Sequence, residues 1–416
     1  MTRRAIISQS HFLHNLDYVR QRVGQKKILA YIKSYAYGHG YEAIVPCVQD
    51  CDMVAVATMA EAMQVRKCGY HGPVLIQSDY LTDQDVVFAA QNGFVPLVDS
   101  MEKWNQLNAM SIKGVRWLKV NTGMNRLGMS VAQVHACLHD SDQEVVVMTH
   151  MAHGSDHPST HRAMSLMHEL KDARAVEICY APSSLLCSDL DISQSDWVAP
   201  GLCLYGVGHP SLKCVMQLQA QVIAHRFVEA GMAIGYRGTY DVRKPTRTHI
   251  LGIGYGDGLP VHMRDYENSQ IAQVCGEVSM DMMQVILKDD HEVGSWIDIF
   301  SNQQDLIELS RSSGEMVYAI LASLGSRVQR LPMPSYGQVV YQCRRGLLEL
   351  DQCLSTFVTS HYQSCTLSEK VIFQQLLQCQ DPELQHYFFM ADEKDMNPAF
   401  CQLIKKIKAC VSESQR

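Results

Sequence analysis

Residues 29–41 read LAYIKSYAYGHGY, an apolar run that closes on a single cation, Lys33, and breaks at once into a Tyr-Gly-His-Gly turn. Most lysines keep their ammonium in water, so one at the end of a buried strand calls for a chemical reason. Desolvation lowers a lysine's pKa and favours the neutral amine, the form that condenses with a carbonyl or takes up a proton. Two other stretches invite chemistry and offer less. GIGYGDG at 252 lacks the spacing of a dinucleotide loop, and no βαβ unit follows it. The histidines of THMAHGSDH have no cysteine or carboxylate set at ligand spacing, so His153 and His157 read as structural and no metal is expected.

The elements around Lys33 repeat. Short β-rich runs recur as KILAYIKS (27), MVAVAT (53), PVLIQS (73), FVPLVDS (94), RWLKVNTG (116), VVVMTHMA (145), VEICYAP (176) and DWVAPGLCLYG (196). Between them lie stretches of helical periodicity such as MAEAMQVRKCG, TDQDVVFAAQNG and SVAQVHACLH. Eight strands alternating with helices predict an α/β fold, a parallel (β/α)8 TIM barrel over residues 1–210. Lys33 then ends the first barrel strand, on the face where barrel enzymes keep their chemistry.

After Gly206 the texture changes. Over 211–335 β-branched and polar residues alternate between glycine turns, as in RTHILGIGYGDG and AQVCGEVSMDMMQVIL, which predicts a mostly β domain. From 338 to 416, CRRGLLELDQCLSTFVTSHY, SEKVIFQQLLQ and NPAFCQLIKKIKAC have helical spacing and predict a small all-α domain. A net charge of -7 gives no basic footprint for nucleic acid, and no apolar run approaches the roughly 18 residues of a membrane helix. Small molecules and proteins are the expected partners. Fifteen cysteines without a C-x-x-C pair, and an N-terminus without a signal-peptide core, predict a cytoplasmic protein with free thiols.

YIKSYAYGHG resembles the cofactor-lysine motif of the alanine racemase family. Six more motifs follow in that family's order across residues 5–333: KVNTGMNRLGM (119), THMAHGSD (149), PGLCLYG (200), GYGDG (254), VSMD (278) and SRVQR (326). The resemblance implies a pyridoxal 5'-phosphate enzyme that interconverts L- and D-alanine. It implies that Lys33 holds the cofactor covalently and acts as the base on one face of the substrate's Cα, and that Tyr255 is the base on the other. It further implies that Tyr37 bonds the phosphate, with Ser183 and the backbone around Gly201 and Leu202 cradling it. Arg126 would bond the cofactor and the substrate carboxylate, and Lys119 matches a lysine that many members carry as a carbamate. His150 would hydrogen-bond Tyr255, and Met280 would touch substrate. In the family the last tyrosine and methionine arrive from a partner subunit, so a head-to-tail homodimer is implied.

The pattern departs from the family at several points. Ala199 stands where an arginine normally bonds the pyridine nitrogen, Pro182 where asparagine is preferred, and Glu277 where arginine is common. An arginine cannot give up its proton and so keeps that nitrogen neutral, a control that Ala199 lacks. The bases stay intact while rate and substrate are put in question.

The tail, over 338–409, resembles the succinate dehydrogenase assembly factors, which promote covalent FAD attachment to the dehydrogenase flavoprotein. The R-G-x-x-E signature stands at Arg345, Gly346 and Glu349, with Arg345 and Glu349 expected on one helix face and Gly346 leaving room for the partner. The expectation is a fusion of racemase and assembly factor. Two alternatives stay open: a racemase-like barrel of weak or lost activity that binds cofactor while the tail works, and a working barrel whose tail only stabilises or oligomerises it.

Overall fold

The computed structural model describes residues 2–79, 81–140, 142–391, 396 and 398–414. These divide into two compact units, one built on His11–Arg330 with the strand before it, the other on Leu331 onward together with Ser8–Ser10.

The first strand, β1 (Arg3–Ser8), is not part of the barrel. The barrel closes as β2 (Lys27–Tyr31), β3 (Met53–Val56), β4 (Val74–Ile76), β5 (Phe94–Val98), β6 (Arg116–Lys119), β7 (Val145–Met148), β8 (Glu177–Pro182) and β9 (Trp197–Ala199). All neighbours pair in parallel, and β9 returns to β2 through Lys27↔Trp197 and Ile28↔Val198. Each of the eight predicted runs holds one of these strands. The strands are short and almost wholly buried because they carry apolar residues on both faces, as a sheet covered by helices requires. The intervening helices are capped by side chains the sequence displays: Thr58, Thr82, Ser100 and Ser130 accept from the amides of Glu61, Asp85, Lys103 and Gln133.

The second sheet is antiparallel. It holds β10 (Met216–Val228), β13 (Thr246–Leu251), β14 (Ile271–Val274), β15 (Met283–Leu287) and β16 (Trp296–Phe300), with β11 (Ala233–Ile234) and β12 (Tyr240–Asp241) forming a separate hairpin. The long β10 organises it, pairing with β1, β13 and β16. The predicted β domain thus draws its first strand from the start of the chain. It also includes two helices that alternation did not predict, Gln303–Ser313 and Val317–Ser323.

The second unit is helical, with helices Tyr336–Gln342, Leu348–Ser360, Leu367–Leu377, Asp381–Gln385 and Pro398–Ser414. Its own core includes Val339, Leu354, Phe357, Phe373, Phe388 and Ile407. Among the described residues no helix is long and apolar enough to cross a membrane, and no cluster of three or more His, Cys, Asp or Glu could hold a metal ion.

Candidate active site

β2 ends at Tyr31, two residues before Lys33, where its ladder runs out: Tyr31 N donates to Pro200 O (2.9 Å) and Ile32 N to Ala55 O (3.0 Å). Lys33 opens a short turn whose next four residues, Ser34, Tyr35, Ala36 and Tyr37, have φ of 55°, 53°, 53° and 50°. A left-handed run of non-glycine residues costs roughly 1–2 kcal/mol per residue, so the surroundings must hold it. They do so through the backbone. Ser34 N donates to Glu61 Oε1 (2.7 Å), and Ala36 N and Gly38 N donate to Ile32 O and Ser34 O (both 3.0 Å). Gly38 (φ 77°) closes the turn where no other residue fits, because a Cβ there would lie 1.9 Å from Leu321 O.

The turn delivers Lys33 to a crowd of positive charge. Burial pulls the Lys33 pKa below the usual lysine value, Arg126 lowers it further, and Glu61 opposes them. The buried Lys119, last residue of β6, is likewise lowered by burial and then by Arg126, with Lys33 also contributing. His150, just beyond β7, falls to about 4, from burial first and then from Lys119, Arg126 and Lys33. Lys33, Lys119 and His150 thus all sense the charge of Arg126, and an anion entering there would be stabilised by this group of cations.

The same turn carries Tyr37 to the loop after β9. Its buried ring stacks obliquely on Tyr205 (4.8 Å), and a Cβ at Gly201 would come within 2.8 Å of its hydroxyl. Ser183 Oγ accepts from Gly201 N (2.9 Å) and Cys203 N (3.2 Å), while Leu202 begins the short 3-10 helix between those amides. Both amides are satisfied by Ser183 Oγ, so a phosphate would take them in its place, with the two hydroxyls and a glycine kept bare by close approach around it.

Tyr255 and Met280 belong to the β domain. Gly254 meets the VSMD loop so closely that a Cβ would lie 2.2 Å from Ser279 O, and Tyr255 N donates to that oxygen (2.9 Å). Gly256 N donates to Met280 O (2.9 Å). The buried Asp257 fixes the turn by accepting from Gly254 N (2.9 Å) and pairing with Arg3 and with Arg327 Nε (2.9 Å). Both candidate residues face outward: Tyr255 is 39% exposed and Met280 53%. Within the described residues of one chain, no hydrogen bond joins Tyr255 to His150.

In the helical unit, the expected shared helix face is absent. Arg345 and Gly346 lie in the turn before the helix that starts at Leu348, so Arg345 and the exposed Glu349 do not share a helix. The reason is that Arg345 is spent on holding the turn. Its guanidinium donates to Leu377 O (2.5 Å) and pairs with Asp381 (3.4 Å), and its amide donates to Asp351. Gly346 N donates to Asp381 Oδ2 (3.0 Å).

Sequence reasoning missed Glu61, Asp257 and the buried pair Tyr31–Gln77. Glu61 carried a signal, since Thr58-x-x-Glu61 is a capping pattern, although the carboxylate serves Ser34 and Ala57 instead.

A closed parallel barrel with a desolvated lysine among cations at a strand end, followed by a β domain bearing a tyrosine on a glycine turn, is the architecture of one class of barrel enzymes that use a lysine-bound cofactor. The chain belongs to the alanine racemase family. Residues 7–209 match its N-terminal domain and 215–332 its C-terminal domain, and residues 337–411 match the family described as flavinator of succinate dehydrogenase. Alanine racemase from Aliivibrio salmonicida is 32% identical over 355 residues, spanning 79% of this chain and 99% of that protein. The one from Vibrio cholerae is 30% identical over 357 residues, spanning 80% and 98%. Among solved structures, alanine racemase from Acinetobacter baumannii matches with a TM-score of 0.72 at 25% identity, over 79% of this chain and 99% of that one. Alanine racemase from Bartonella henselae with covalently bound pyridoxal phosphate matches with a TM-score of 0.71 at 25% identity, over the same shares.

Proposed function

We propose that the chain is a pyridoxal-phosphate-dependent racemase interconverting L- and D-alanine, joined to a module that docks on the succinate dehydrogenase flavoprotein and promotes covalent FAD attachment. The modules divide as barrel 1–210, β domain 211–335 and helical domain 338–416. The observation that carries the reading is a half-buried lysine just past the end of the first barrel strand, 5.8 Å from the centre of the Tyr31 ring whose Cβ neighbours Gly201, where amides gather on Ser183, with Arg126 lowering the pKa of Lys33, Lys119 and His150.

The residues present fit the cofactor. The amides around Gly201 and Leu202 with the Ser183 and Tyr37 hydroxyls would hold its phosphate, and Lys33 Nζ would bond it covalently. When bound, it supplies an electron sink that makes the substrate's Cα–H acidic. The remaining work falls to side chains. Arg126 offers a fixed fork of donors to the substrate carboxylate. Lys33 Nζ, made less basic by burial and by Arg126, carries the proton on one face of Cα. The exposed Tyr255 phenol of a second copy carries it on the other, oriented by His150, with Met280 beside it in a head-to-tail homodimer. Converting Lys119 to a carbamate would place a negative charge among these cations and relieve their crowding. Fifteen free cysteines support a reducing compartment such as the cytoplasm.

Full-length protein incubated with L-alanine and pyridoxal phosphate tests the reading by chiral analysis of the product. Conversion that depends on Lys33 is expected. Protein that binds the cofactor and leaves L-alanine unchanged would sink it.

A further inference from the structure

We propose that Tyr31, held by Gln77, is a further cofactor-contacting residue: a buried neutral donor that meets the cofactor's ring and leaves its nitrogen without a proton. The inference rests on the reading of the barrel as a pyridoxal-phosphate site.

Three observations place Tyr31 on the floor of that site. It is the last residue of β2, two before Lys33, and Lys33 Nζ lies 5.8 Å from the centre of its ring. A Cβ at Gly201 would stand 3.6 Å from the Tyr31 Cβ, so Tyr31 neighbours both the lysine and the backbone that suits the phosphate. Its hydroxyl also senses the charge of Arg126 and neighbours the Cys179 thiol on β8. A flat ligand bound at both Lys33 and the Gly201 backbone comes within reach of Tyr31.

The phenol is set for donation. Gln77, 7% exposed just past β4, gives its amide N–H to Tyr31 Oη, which fills the oxygen's acceptor role. Among the described residues none accepts the phenol's own proton. Burying two polar side chains in a barrel costs stability unless both are satisfied, and here one donor is left over. Burial, with Cys179 next, drives the phenol's pKa far upward, against smaller effects of Gln77 and Arg126, so the group stays protonated. Ala199, at the neighbouring end of β9, has no donor. Burial raises the Cys179 thiol too, and a thiol donates weakly. Beside the charged Lys33 and Arg126, Tyr31 is therefore a neutral hydrogen-bond donor whose proton is unclaimed among the described residues. A pyridine nitrogen that accepts from a phenol unable to release its proton remains uncharged, which moderates the ring as an electron sink.

The test uses full-length protein loaded with pyridoxal phosphate carrying an isotopic label on its ring nitrogen, read by nuclear magnetic resonance and by equilibrium cofactor affinity. Wild type should show an uncharged, hydrogen-bonded nitrogen. Tyr31→Phe should move that resonance and weaken cofactor binding about three- to tenfold, the worth of one neutral hydrogen bond. Gln77→Leu, which frees the phenol to rotate, should move the resonance the same way by less. A protonated nitrogen in wild type, or an unmoved resonance in folded Tyr31→Phe, overturns the inference alone. If Tyr31→Phe fails to fold, an unmoved resonance in Gln77→Leu overturns it. Wild type that takes up no cofactor overturns both this inference and the proposed function.

Discussion

Gly201 and Tyr37 stand so close that a single added methyl at the glycine would lie 2.8 Å from the tyrosine hydroxyl. That hydroxyl cannot easily retreat, because the buried ring is wedged against Tyr205 at 4.8 Å and Tyr318 at 6.3 Å. Gly201→Ala should therefore leave the barrel folded while pushing Tyr37 out of the phosphate cradle. Cofactor affinity, measured by absorbance titration, is expected to fall about tenfold or more, within the usual cost of overpacking. Unchanged affinity would show that the cradle does not need this approach.

The left-handed turn after Lys33 makes a second expectation. Ser34 has φ 55° and an exposed side chain, and its contact with Glu61 is through the backbone amide. Ser34→Gly keeps that bond, removes about 1–2 kcal/mol of backbone strain and returns part of the gain as chain entropy. A net gain of roughly 0.5–1 kcal/mol in denaturant unfolding is expected, as a rise in midpoint at constant slope. A lower midpoint would mean that the serine side chain contributes more than the strain it causes.

Two histidines set the acid limit. Burial holds His39 down to about 4 from an ordinary 6.5, against a hydrogen bond to Tyr37, and His150 likewise falls to about 4. The unfolded chain binds these protons near pH 6.5 and the folded chain only near pH 4. The unfolded state thus holds more protons in that window, so stability is whole above it and falls as pH drops through it. The fully buried His39 accounts for a loss on the order of 3 kcal/mol. Melting temperatures from pH 7 to 4 should decline, and His39→Phe should flatten the decline. An equally steep curve in that variant would reject the assignment.

The barrel was legible because its strands are buried on both faces and so appear as uninterrupted apolar runs between capped helices. The helix Gln303–Ser313 was less so, although Asn302 caps it and Gly314 ends it with φ 74°. Its place in a region of β alternation outweighed those signals. β1 was hidden because its partner β10 lies more than 200 positions away, and pairing at such range leaves no local trace. The left-handed turn was illegible for the opposite reason. Ser34 to Tyr37 contain no glycine, and only tertiary contacts override their preference. Lys33, Tyr37 and Ser183 could be carried over as motifs, whereas Tyr31 and Gln77 appear apolar or neutral in sequence and acquire meaning only when the barrel closes.

The two proposed bases separate by cofactor binding. Lys33→Ala should lose the absorbance of covalently bound cofactor along with all conversion. Tyr255→Phe should keep that absorbance, because the phenol lies on a β-domain turn fixed by Asp257 and Arg327 rather than among the phosphate donors. Its racemisation is expected to fall by roughly 10²- to 10⁴-fold, the usual share of a general acid or base. A Tyr255→Phe protein that racemises at the wild-type rate would remove Tyr255 from the mechanism.

The helical unit makes the last prediction, and its turn decides which variants are informative. Arg345 secures the turn to Leu377 and Asp381, so Arg345→Ala should lower stability by releasing a half-buried ion pair and the bond to Leu377 O, which confuses any effect on docking. Glu349 is exposed in the first turn of its helix, and Gly346 is exposed beside it. A Cβ at Gly346 meets only Asp381 Oδ2, at 3.3 Å, so a larger side chain there can point outward into the proposed docking surface. The unit has its own core around Phe357, Phe373 and Phe388, which supports folding of residues 335–416 as a separate fragment. Expressed in cells lacking their own assembly factor, the fragment should restore covalent FAD on the succinate dehydrogenase flavoprotein. Glu349→Ala and Gly346→Arg should retain helical circular dichroism and lose that restoration. If both folded variants restore FAD as well as wild type, the R-G-x-x-E turn is not the docking surface. If the folded wild-type fragment neither binds the flavoprotein nor raises its FAD content, the unit does not serve as an assembly factor.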